Sequence, residues 1–71
     1  MTSYFDIVLS DYQNGEKSPY GGFRETSYGY VMMKSSHNCD IHVGDEIGHL
    51  IVSEVITSRK KGKTLIVAKE M

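Results

Sequence analysis

Two β-branched segments joined by a short basic loop constrain this 71-residue chain more than any other feature. The stretch from Ile47 to Thr57 contains Ile47, Ile51, Val52, Val55, Ile56 and Thr57. After Ser58-Arg59-Lys60-Lys61-Gly62-Lys63 comes a second run, Thr64-Leu65-Ile66-Val67-Ala68. Branching at Cβ stiffens χ1 and suits a pleated surface better than a helical turn. A loop of about five residues with glycine late in it is hairpin chemistry. The pattern predicts a C-terminal hairpin over 49–69. A helix over the first run would align positions 47, 50, 51, 54, 55 and 58 on one face, and four of those six are apolar. Gly48 weakens that start and no Ser/Thr cap precedes a clean stripe, so the strand is the better reading. The alternation slips near Ser53-Glu54, which predicts a bulge or bend there.

Upstream, Phe5, Ile7 and Leu9 alternate with Tyr4, Asp6, Val8 and Ser10, the period of a half-buried strand. Residues 11–26 hold Asn14-Gly15, Ser18-Pro19 and Gly21-Gly22, all turn formers. They read as a long Gly/Tyr-rich loop, or as one hiding a hairpin that turns at Asn14-Gly15. Ser27 to Lys34 reads as a strand, Ser35 to Asp40 as a polar turn, and Ile41-His42-Val43 as a short strand closed by Gly44-Asp45. About five strands in a chain this short favour closure, which removes unpaired edges. The expected fold is mostly β: a small five-stranded antiparallel barrel or strongly curved sheet with little or no helix, forming one domain over 1–71. The run Ile41 to Ile47 followed by a basic hairpin resembles the centre of SH3-like or OB-like barrels. That resemblance implies a fold and assigns no site residues.

Size and composition bound the function. A chain of this length hides only roughly 60% of the surface its unfolded form exposes, so its core is small. The net charge of −1 supplies no global attraction to nucleic acid or anionic membrane. Locally the charge is uneven: residues 1–46 hold seven acids against three bases, and residues 47–71 hold two acids against five bases. The single cysteine, Cys39, cannot form an internal disulfide. No long apolar run is present and the N-terminus lacks the pattern of a signal peptide, so a soluble, cytoplasmic protein is expected.

Chemical motifs are weak. His37, Cys39 and His42 are zinc-capable, with Asp40 between them and His49 beyond, but they form one cluster where structural zinc needs two ligand pairs. Asp45-Glu46-Ile47-Gly48-His49 lacks the first histidine of a metalloprotease helix. Gly62-Lys63-Thr64 ends like a phosphate loop, but Thr57 stands where the earlier glycine belongs and a strand follows instead of a helix. No nucleophile, base and orienting group form a pattern, so no enzyme, cofactor or metal is expected.

Binding is the remaining class. All seven Phe and Tyr residues lie at or before position 30. Tyr12, Tyr20, Phe23, Tyr28 and Tyr30 sit among glycine, serine and asparagine with Arg24, a chemistry common on adaptable recognition surfaces. These six residues are the expected protein-docking site, with Tyr12, Tyr20 and Phe23 facing outward and one of Tyr28 and Tyr30 completing the small core. The expected role is a small accessory, adaptor or inhibitor protein of phage or mobile-element type, with a homo-oligomer, such as a dimer, as a further expectation. A second reading places nucleic acid on the basic tip, Arg59, Lys60, Lys61 and Lys63. A third captures a small molecule or nucleotide at an oligomer interface by stacking on the loop aromatics.

Overall fold

The computed structural model describes residues 2–71. Its elements are α1 (Tyr4–Asn14), β1 (Glu16–Lys17), β2 (Arg24–Thr26), β3 (Gly29–Lys34), β4 (Glu46–Ile47), β5 (Leu50–Ser58) and β6 (Lys63–Glu70). The strands form one antiparallel sheet in the order β1-β2-β3-β6-β5-β4, curled into a half-barrel. The expected strong curvature is present. The strands number six, one helix is added, and the sheet stays open at β1 and β4.

The hairpin lies where the β-branched pattern places it. β5 and β6 pair from Leu50↔Glu70 to Ser58↔Lys63, with a register shift between Val52 and Glu54 where the alternation slips. Gly62 turns the tip with φ +64°, a conformation glycine adopts without steric cost. β6 is last in the chain but lies inside the sheet, between β3 and β5. Thr64 to Ala68 are consecutively buried, so β6 is covered on both faces. Leu65 and Val67 join Phe5, Val8 and Val31 under α1. Ile66 and Ala68 join Phe23, Leu50 and Val52 on the opposite face.

Tyr4–Ser10, expected to be a strand, is helical. Ser3 caps the start, its hydroxyl accepting from the Asp6 amide at 3.1 Å, and Asp6 places negative charge in the first turn. Phe5, Val8, Leu9 and Tyr12 form an i, i+3, i+4, i+7 stripe toward the core. The competing alternation would have buried Ile7, which is 42% exposed. The long loop at 11–26 is also resolved into elements. Its first residues finish α1, and β1 then pairs with β2. That hairpin turns through Ser18–Phe23 instead of at Asn14-Gly15. Gly15 is required there for close approach, since an added Cβ would sit 2.8 Å from the Glu25 carbonyl oxygen. Ile41-His42-Val43 forms no strand; it leads into a turn in which the His42 carbonyl accepts from the Asp45 amide.

Phe23 is only 3% exposed and lies in the core of the face opposite α1. Phe23→Ala is expected to cost about 3–5 kcal/mol, and Ser3→Ala about 1 kcal/mol through the lost cap. Urea unfolding monitored by circular dichroism measures both. A Phe23→Ala protein of unchanged midpoint would contradict its placement in the core.

Candidate functional site

The six residues expected to form one docking surface are divided between the two faces of the sheet. Tyr12 and Tyr28 pack against the cluster beneath α1. Tyr20, Phe23 and Tyr30 belong to the opposite cluster. The expected outward placement is therefore corrected for Phe23. Phe23 is buried, and the four tyrosines are half-buried. Arg24 holds the end of α1: its guanidinium donates to the carbonyls of Tyr12 and Gln13 at 3.3 and 3.4 Å and lies 5.1 Å from the Tyr12 ring centroid. Cations suit helix C-termini because the last carbonyls carry partial negative charge.

The face without a helix carries a compact aromatic group. Ser18 accepts from the Tyr20 amide, and its hydroxyl donates to the Phe23 carbonyl. This ties the 18–23 turn into a loop that inserts Phe23 into the core. Tyr20 and Tyr30 then meet edge to face, with centroids 5.1 Å apart. Both hydroxyls donate to the same Glu70 oxygen, at 2.9 and 3.1 Å. Met32, Ile41, Ile47 and Val55 are also partly buried against this cluster. The loop that carries Ile41 leaves Val43 65% exposed. On the helix side, Tyr4 and Tyr28 meet edge to face at 6.1 Å, and the Tyr4 hydroxyl donates to Glu54 at 2.8 Å.

These carboxylate contacts set the local titrations. The hydrogen bond to Glu70 holds the Tyr20 and Tyr30 phenols above their ordinary 10.0, and Glu54 does the same for Tyr4. A phenol whose folded pKa is raised contributes stability below the unfolded pKa, and this is lost as pH climbs through the higher folded value. The opposite sign holds for Asp6, kept below its ordinary 3.8 first by its hydrogen bond with Lys61 and then by Ser3. Its contribution is present above the ordinary value and lost as pH falls through the lower folded one.

The basic tip is partly committed inside the fold. Lys61 pairs with Asp6 on α1, and its ammonium lies 5.9 Å from the Phe5 ring centroid. Lys63 is half-buried at the start of β6, while Arg59 and Lys60 are exposed. Lys34 ends β3 opposite Thr64, so the topology adds a base that sequence distance hid. Other residues missed by sequence reasoning are structural. The buried Thr64 hydroxyl donates to the Ser36 carbonyl at 2.7 Å and anchors the 35–45 loop. Cys39 is half-buried, its sulfur accepting from the Ile41 amide at 3.4 Å, while His37, His42 and His49 are exposed. Among the described residues no three His, Cys, Asp or Glu side chains converge as metal ligands, and no helix is long and apolar enough to cross a membrane.

Comparison with protein families, curated proteins and solved structures finds no match. Glu70→Gln is expected to bring the Tyr20 and Tyr30 pKa values back toward 10.0. It should also flatten the loss of stability on the alkaline side. Phenolate absorbance and unfolding between pH 9 and 12 read both, and unchanged phenol titration in the variant would refute the shared-carboxylate assignment.

Proposed function

We propose that the chain is a non-enzymatic binding protein that docks a protein partner on the sheet face without a helix, with Tyr20 and Tyr30 at the rim of the contact. The observation that carries this reading is the covering of that face. Loops alone cover it, leaving Tyr20, Tyr30, Met32, Ile41 and Ile47 half-buried around Phe23, with Val43 projecting from the same loop. Tyrosine combines large apolar area with a polar tip, the mixture enriched at protein interfaces. A chain of this size suits an accessory or inhibitory role, in which it blocks or adapts a larger protein. In this reading Tyr12, Arg24 and Tyr28 support the helix side and make no contact with the partner.

A second reading keeps nucleic acid on the tip, favoured by one observation: Lys34 shares the sheet end with Arg59, Lys60 and Lys63. It predicts affinity falling steeply with salt. Affinity capture from source-cell lysate, with and without nuclease, separates the two. The first reading expects a nuclease-resistant protein partner that is lost with Val43→Asp or Tyr20→Ala and retained with Tyr12→Phe or Lys60→Ala. Capture lost only with nuclease or with Lys60→Ala would replace it with the second reading.

A further inference from the structure

β5 is longer than the strand that covers its outer side. β4 pairs only with Leu50 and Ile51, and the backbone of Gly44 and Asp45 extends that cover to Val52. From Ser53 to Ser58 no described strand lies on the outer side of β5. An edge of this kind presents unpaired amides and carbonyls ready to receive another strand. Its side chains suit that use. Ile56 packs with the cluster under α1 and Val55 with the opposite cluster, so an added strand would extend both. Between Ser53 and Ser58 the one charged side chain is Glu54, which accepts from the Tyr4 hydroxyl.

We propose that the occupant is a second copy of this chain, its β5 running antiparallel to the first across a two-fold axis perpendicular to the sheet at Ile56. Opposed residues in an antiparallel pair share a face. Centred on Ile56, the pair sets Val55 opposite Thr57, Glu54 opposite Ser58 and Ile56 opposite itself. A register centred one residue earlier would drive the second strand into the backbone of Asp45. The Ile56 register also brings the exposed Arg59 and Lys60 of each copy against the exposed Asp45 and Glu46 of the other. That contact is complementary in charge and occurs twice. The two basic tips lie at opposite ends of the pair, so like charges do not meet. The proposal is independent of what docks on the Tyr20 face.

Sedimentation velocity over a concentration series tests it, with circular dichroism confirming folding. The wild-type protein is expected to pass from the 8.0 kDa monomer to twice that mass. Thr57→Lys, which places a charge inside the pairing, and the surface variants Arg59→Glu/Lys60→Glu and Glu46→Lys should each raise the dissociation constant at least about tenfold, one power of ten being about 1.4 kcal/mol. Mixing the last two variants in equal amounts should recover dimer in part, because one of the two contacts of the mixed pair is again Arg59 and Lys60 against Asp45 and Glu46. A wild-type protein that stays monomeric at every soluble concentration would overturn the proposal. A dimer that none of these variants weakens, or a mixture that fails to recover, would overturn it as well.

Discussion

Burial of β6 on both faces is the constraint the rest of the structure answers to. Five consecutive residues, Thr64 to Ala68, are removed from solvent, and they point alternately to the two sides of the sheet. Both sides must then be covered, yet the described residues supply one helix. α1 covers the side of Leu65 and Val67. The side of Ile66 and Ala68 is covered by the 18–23 turn and the 35–45 loop, which place Phe23, Tyr20, Cys39 and Ile41 there. Loops can do this only when their backbone polar groups are satisfied. Ser18 and Thr64 provide part of that satisfaction, tying the two loops by side-chain hydrogen bonds to the Phe23 and Ser36 carbonyls.

The aromatic residues of the first thirty positions take their roles from the same constraint. Phe23 fills the loop-covered core. Tyr20 and Tyr30 carry apolar rings at its margin while their hydroxyls fix Glu70 at the far end of β6. Tyr4 reaches Glu54 across the helix side. Two tyrosines thereby bridge positions fifty apart in sequence, and the carboxylates they hold lie on the central hairpin. This explains why a cluster that looks like a recognition loop in one dimension becomes two packing groups on opposite faces. The proposed docking surface is narrower: the margin of the loop-covered face.

Legibility in the sequence followed the strength of local chemistry. The β5–β6 hairpin was readable because β-branching, the glycine turn and the slip at Ser53-Glu54 all agree. β3 was readable from its alternation. The helix was not, because Tyr4 to Ser10 satisfies a period of two and a period of 3.6 together. The decision rests on the Ser3 cap and on Tyr12, one turn beyond the apparent strand. The second hairpin was hidden because β1 and β2 together are five residues long and carry almost no apolar pattern. At the candidate site, the positions of Arg24 and Phe23 were not legible for one reason. Residue type announces interface chemistry, but only topology shows that a helix end or an open core lies within reach.

Folding commits part of the basic tip and limits what it can do. Lys61 is committed to Asp6, which fastens the start of α1 to the hairpin end. Arg59 and Lys60 remain exposed, and the unpaired stretch of β5 begins immediately behind them. If a second copy pairs there, those two bases meet acids, and only Lys34 and Lys63 are left to attract phosphates at that end. Strand pairing and nucleic-acid binding therefore compete for the same two side chains. Counterion release scales with the number of bases a polyanion engages. A dimer would consequently show a shallower salt dependence toward nucleic acid than its isolated subunit, which makes oligomeric state and partner class one coupled physical question.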